Sequence, residues 1–432
     1  MKKSIKFSLL IPLFSLLATF NFTSCGLLDH DKMDDPKVMV GDTLWVHNMV
    51  GSDSLFTAGS MAIGQDGAIY YAKSGGTLYW TAARIVALDK DSGNQLWESE
   101  PIDNIELPGN IVVGDDGTVY VIGHYKLYAF NHTNGSLKWI WEVPTELPNP
   151  NGPGNIFTYG QIGRLALLND GSLILGSIGS GIYNRALYSV SIDGNTKWYN
   201  IGAVAGGIGS NIVIGKNNNI FYYSSFEGKY NLFAVNGATG DILWHKEIIS
   251  YGSTENNIVL KENGDLICSF ALTGDEKYYL YTIDPNNGNV LKKSITPSNA
   301  NTKLIGPNGN IYQQGDEYAI LNYDENTGLA SRFSEEAKVT LRPAIINSMG
   351  QIIVVNTIDF KGHISTFNAD GMLDWTATFD GVKNYSLLLS NDEVIIGNTN
   401  NKVFAIKANS KIANNGWPMK THDTKNSNNL NK

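Results

Sequence analysis

Histidines, cysteines and clustered carboxylates are where catalysis or metal binding would have to begin, and none of them falls into a reactive spacing here. His47, His124, His132, His245, His363 and His422 show neither the i,i+4 nor the Cys/His spacing of a zinc site, so no metal is expected. Cys268 lies in the apolar run Leu266-Ile267-Cys268-Ser269-Phe270, the setting of a buried structural thiol rather than a nucleophile. Asp89-x-Asp91-x-Gly93 starts like a calcium loop but lacks glycine at the sixth position, and it reads as a turn. No Gly-x-Ser-x-Gly, Walker or dinucleotide fingerprint stands in a strand–helix setting. No catalytic residue is therefore assigned. What remains are side chains that could bind: Tyr79, Trp80, Trp141, Tyr159, Tyr183 and Tyr251, with His124, Arg164, His245 and Arg342. Aromatic rings with polar neighbours suit sugar stacking or a protein partner. His124 or His245 converging with a tyrosine and an arginine would instead suit acid–base cleavage of a polysaccharide. The plainer reading of the rings is loop packed on loop.

The elements that must carry these residues are set by a repeat. Glycine followed four residues later by tryptophan recurs at Gly41–Trp45, Gly93–Trp97, Gly135–Trp139, Gly194–Trp198, Gly240–Trp244 and Gly371–Trp375. Gly288–Lys292 and Gly328–Arg332 are copies without the tryptophan. Steps of roughly 40–60 residues are those of propellers and solenoids. Before each copy after the first stands an apolar run such as Ile85-Val86-Ala87-Leu88-Asp89, and before that a turn, Asx-Gly in most repeats, such as Asp66-Gly67 or Asp116-Gly117. Asx-Gly supplies the positive φ of tight hairpins, and the short β-branched and aromatic runs between turns are strands. Each repeat reads as four antiparallel strands, and the whole as an all-β, eight-bladed β-propeller. The domain opens on an outer strand, Thr43 to Val46, and its last repeat lacks one, so the N-terminal strand is expected to complete the last blade and close the ring. Trp45, Trp97, Trp139, Trp198, Trp244 and Trp375 are assigned to structural docking between blades. The copies carrying Lys292 and Arg332 are expected to pack least regularly.

Ala87-Leu88-Asp89-Lys90-Asp91-Ser92-Gly93-Asn94-Gln95-Leu96-Trp97 resembles the tryptophan docking element of the PQQ-like, quinoprotein-type β-propeller repeat. Ala129 to Trp139 and Ala234 to Trp244 are similar, and the resemblance extends over about residues 41 to 407. Gly416-Trp417-Pro418-Met419 through Asp423 resembles a segment common in lipoproteins of this superfamily. The resemblance implies either a quinone dehydrogenase or a cofactor-free propeller such as the outer-membrane assembly lipoprotein BamB, which this chain is nearer in length, blade number and anchor. The dehydrogenases are longer, and many carry a vicinal Cys-Cys ring or a Cys-x-x-Cys-His haem site. With two cysteines this chain can build neither, so no cofactor is expected and PQQ is disfavoured.

The ends and the charge supply the remaining bounds. Residues 1–24 read as a signal peptide, with Lys2, Lys3 and Lys6 before an apolar core too short to span a membrane. Phe22-Thr23-Ser24-Cys25 resembles a lipobox, making Cys25 the expected site of lipidation and palmitate attachment. Residues 25–40 form a tether, 41–410 the propeller, and 411–432 a tail expected to be partly disordered on its Asn/Lys-rich composition. Removing the three leader lysines leaves 29 basic against 41 acidic residues, a net charge of −12, which excludes a nucleic-acid-binding face. The long insertions fall on the face opposite the Asx-Gly turns, where variable loops carry binding. The expectation is a monomeric, non-catalytic binding or scaffold module, lipid-anchored at the bacterial outer membrane, periplasmic or surface-exposed. Its partner would be an envelope protein complex or an extracellular glycan. The alternative is a polysaccharide lyase or hydrolase, or a degenerate quinoprotein.

Overall fold

The structure, a computed structural model, describes residues 37–49, 57–74, 83–102, 111–123, 125–149, 152–158, 161–178, 185–202, 207–226, 229–247, 258–271, 278–296, 303–314, 320–324, 327, 329–333, 344–358, 361–380, 387–399, 401–419 and 421–432. Residues 39–432 form one compact unit. Cys25 lies outside the described residues.

The described strands make an eight-bladed β-propeller of four-stranded antiparallel sheets. In chain order, the strands of blades 1 to 7 fall between 57 and 98, 111 and 142, 161 and 200, 213 and 247, 259 and 296, 303 and 332, and 344 and 380. Blade 8 combines three strands between 387 and 407 with Thr43–Asn48, which pairs antiparallel with Lys402–Lys407. One sheet is thus assembled from both ends of the domain. A two-stranded ribbon, Glu146–Pro148 with Asn155–Phe157, lies between blades 2 and 3.

Local sequence explains each blade. In blade 1, Thr57–Ile63 turns through Asp66-Gly67 into Ile69–Ser74, which pairs with Ala83–Leu88, which pairs with the outer strand Gln95–Glu98. The middle strands are buried on both faces, so Ile69, Tyr70, Tyr71, Val86 and Leu88 are all apolar or aromatic. In blade 4 the positive-φ positions of the first turn are held by asparagine rather than glycine. Asn217 and Asn218 adopt φ 62° and 61° there, which asparagine tolerates better than other side chains.

The tryptophan ladder works between blades. Trp45, Trp97, Trp139, Trp198 and Trp244 each donate Nε1–H to a carbonyl in the last turn of the following blade, at Lys90 (2.9 Å), His132 (2.6 Å), Ile192 (2.8 Å), Gly237 (3.0 Å) and Pro285 (2.9 Å). The indole also lies flat on the next blade's ladder glycine. A Cβ on Gly93 would sit 2.4 Å from Trp45 Cε3, and one on Gly135 2.4 Å from Trp97 Cε3. Glycine is required there twice, for the contact and for φ of 69° and 71°. Trp375 meets Gly41 more loosely, at 3.9 Å from a Cβ position, and its Nε1 has no hydrogen-bond partner among the described residues.

The junctions without a docking tryptophan are filled differently. Ile305, Ile311 and Tyr323 of blade 6 join the core of blades 4 and 5, together with Trp417 from the C-terminal segment. Between blades 6 and 7, Phe333 meets Tyr312 edge-on at 5.2 Å and packs with Leu304, Ile346 and Val354.

Trp97→Ala is expected to cost about 3–5 kcal/mol in urea unfolding, the usual loss for a buried tryptophan. Gly135→Ala attacks the same contact from the other blade and should destabilise as well. A neutral result for Gly135→Ala would disprove the docking role of the glycine.

Candidate functional site

Of the residues singled out for binding, Tyr79, Trp80, His124, Tyr159, Tyr183, Tyr251 and Arg342 lie outside the described residues. The other three sit on separate blades. Trp141 is on the outer strand of blade 2, Leu137–Glu142, and is a core residue rather than a loop platform. It packs edge-on against Tyr188 at 5.2 Å and donates to Thr196 Oγ1 of blade 3 at 2.8 Å. His245 is exposed on the outer strand of blade 4, at the periphery of its sheet, stacked on Phe233 with Nδ1 3.2 Å from Asn231 Oδ1. Arg164 is on the inner strand of blade 3, and its Nε donates to Ser210 O at the start of blade 4 (2.8 Å).

Arg164 thus belongs to a set of ties between neighbouring inner strands at their loop-side ends. Ser60 Oγ accepts from Ile111 N, and Asn211 both donates to Ile258 O and accepts from Ile258 N. A second set lies two residues beyond the docking tryptophans. Asn200 donates to Gly240 O at 2.6 Å, and His47 Nδ1 lies 3.1 Å from Gly93 O. Because a carbonyl only accepts, His47 carries its proton on Nδ1, and Nε2 accepts from Tyr71 Oη at 3.2 Å. Burial lowers the His47 pKa, opposed by the Gly93 bond and reinforced by Lys73. Sequence reasoning missed this position because the ladder is defined by tryptophan alone, whereas the residue two further on varies in type while keeping its reach.

The turn-side end of the axis holds the largest departure from expectation. Composition reads the tail, residues 411–432, as partly disordered, yet Asn426, Ser427, Asn428 and Asn429 are all buried. The physical reason lies in the inner strands. Their axial edges present unpaired backbone groups, and the C-terminal segment satisfies them. Its carbonyls accept from Ile63, Val113, Leu167 and Ile214, one inner strand in each of blades 1 to 4. Its asparagine amides donate to Met61 O and Ile111 O (Asn426), Leu165 O (Asn428) and Leu167 O (Asn429). Earlier in the segment, Trp417 and Met419 bridge to Ile305 and Ile345 of blades 6 and 7.

A cleft of about 370 Å³ opens on this face between blades 1 and 8, its charged and polar lining residues including Asp66, Lys90, Asn391, Asp392 and Lys425 beside the aliphatic Ile63, Ile69 and Ile396. Its charges are largely matched: Lys90 bonds Asp91 and Asp392, and Lys425 pairs with Asp115. The hydrogen bond to Asp392 is the main cause of a raised Lys90 pKa, the opposite of what a general base requires. No group of three His, Cys, Asp or Glu among the described residues is placed to hold a metal ion.

Residues 81–332 match the PQQ-like family described as outer membrane protein assembly factor BamB. This chain belongs to that family. No curated protein matches it. Among solved structures, this BamB-family propeller is similar to the C-terminal WD40 domain of Sif2 (11% identity, TM-score 0.56, covering 85% of this chain and 99% of that one). It is also similar to the computationally designed Ika8 protein (13%, 0.57, 85% and 100%) and to the Dos1 propeller (11%, 0.56, 86% and 97%). At such identities these likenesses concern the fold alone. No helix among the described residues is long and apolar enough to cross a membrane.

The lowered His47 pKa fixes the sign of a pH effect. The unfolded chain takes up the proton first, so the contribution of His47 is fully present above the ordinary histidine value of about 6.5 and declines as pH falls below it. Thermal unfolding should show a wild-type midpoint that drops between about pH 6.5 and 5, and a flatter profile for His47→Gln. Identical profiles would remove His47 from the junction's energetics.

Proposed function

We propose that this protein is a cofactor-free, non-catalytic binding module of the cell envelope, anchored by lipid at Cys25 in the outer membrane, that scaffolds a protein complex through its loop face. The observation that carries the reading is the match of residues 81–332 to an outer-membrane assembly-factor family. The described chemistry is consistent with it. Arg164 and Trp141 are used in ties between blades, and His245 stands on an outer strand away from the axis.

The absence of a quinone is part of the same proposal. A quinone clamp built on cysteines does not fit these residues. Cys268 is buried in the core of blades 4 to 6, and its thiol is pushed up to about 11 by burial. It has no vicinal cysteine.

Affinity purification of the native protein from membranes is expected to recover β-barrel assembly components, with no quinone absorption in the purified protein. Recovery of a glycan-uptake system, or a bound quinone chromophore, would overturn the reading. Metabolic labelling with a palmitate analogue should mark the wild type and not Cys25→Ser. Equal labelling of the two would remove the anchor from the proposal.

A further inference from the structure

The C-terminal segment divides into two parts of different chemistry. Residues 411–419 are held by apolar burial. Ile412, Ala413, Trp417 and Met419 are all buried, and Trp417 is completely so. Beyond Met419, Leu430 is the one large aliphatic side chain, and it packs only partly buried against the core of blades 4 to 6. Residues 421–432 are held instead by hydrogen bonds to the axial edges of the inner strands and by two ion pairs on one carboxylate, since Lys425 and Lys432 both reach Asp115. Opening the first part would expose a tryptophan. Opening the second exchanges protein hydrogen bonds for water bonds, at small net cost per bond.

The segment is also shaped in advance for this position. Asn426 and Asn428 take left-handed backbone angles, φ 60° and 54°. Asp423 accepts from Lys425 N, Ser427 N and Ser427 Oγ, and its carboxyl pKa is lowered, most of all against burial by the neighbouring His422. His422 in turn lies against Trp417, at 4.7 Å between ring centres. These contacts form a local turn on the Trp417 anchor, and from it the asparagines are presented in series to blades 1 to 4.

We propose that the turn-side mouth of the axis is a binding site for an asparagine-bearing peptide, and that residues 421–432 are its intramolecular ligand: a strap anchored at Trp417–Met419 that opens and closes over the mouth. The site is a row of edge groups, the N–H of Ile63, Val113, Leu167 and Ile214 interleaved with carbonyls such as Met61 O and Leu165 O, which accept from the asparagine amides. A row of backbone groups contributed by four neighbouring inner strands recognises a peptide through its main chain, and the asparagine amides add register. Closed, the strap denies the edge to other chains.

The test is hydrogen exchange on the full-length protein, with Asp115→Asn as the variant. The amides of Ile63, Val113, Leu167 and Ile214 should exchange together, faster than the rest of the inner strands. Loss of the two ion pairs at the half-exposed Asp115 carboxylate should accelerate them by roughly two- to tenfold, with amides around Trp417 unchanged. Exchange of all four only with global unfolding, at the same rate in both proteins, would show a fixed part of the core rather than a strap. A labelled synthetic peptide of residues 421–432 should bind the full-length Asp115→Asn protein. The same peptide with Asn426, Asn428 and Asn429 changed to Ala should not. Absence of binding by the first peptide, or equal binding by both, would overturn the site.

Discussion

The structure depends on one contact, an indole face laid on a glycine of the next blade. The apolar strands of each blade would satisfy many sheet arrangements. What orders blade after blade is that Trp97 cannot sit on Gly135 and reach His132 O unless the two sheets stand in one relation. The requirement is mutual, because the glycine must lack a Cβ for the ring to approach and must hold a positive φ for its turn to form. Tryptophan and glycine therefore recur together, one at each end of the same junction. Where tryptophan gives way to Lys292 and Arg332, the junctions draw on Phe333, Tyr312 and the distant Trp417, and the repeat is less visible in the chain.

A propeller leaves a second problem at its axis. Each inner strand has a neighbour on one side only, so its other edge carries polar backbone groups that burial would leave without partners. The chain meets this need differently at the two ends of the axis. Toward the loop face, side chains such as Arg164 and Asn211 tie one inner strand to the next. Toward the turn face, the C-terminal segment crosses the inner strands and offers both main-chain and amide groups. Polar residues that look like a solvated tail are there because the surface they cover is polar backbone, and an aliphatic segment would have left it unpaired.

The fold was legible in the sequence because it rests on local chemistry. Asx-Gly turns, short apolar strands and a fixed glycine–tryptophan spacing are all readable within a dozen residues. The site was legible only in part. Trp141 resembled a loop aromatic because it follows a docking tryptophan at the end of a strand. Its burial depends on Tyr188 and Thr196, which are distant in sequence. His245 looked like a candidate acid or base from its type alone, and its place on an outer strand is a matter of sheet order. His47 carried no motif, since it acts across the junction between blades 8 and 1, on Gly93 and Tyr71.

The sequence by itself determined the repeat, its period, its four-stranded unit and the glycine–tryptophan pairing, since each follows from backbone preferences and side-chain size over short distances. Tertiary structure decided what the polar residues do. Whether Arg164 faces a ligand or a neighbouring carbonyl, and whether Asn426 to Asn429 wander in water or lie against the axis, turns on which unpaired backbone groups come within reach. Those groups are created only when the blades stand side by side.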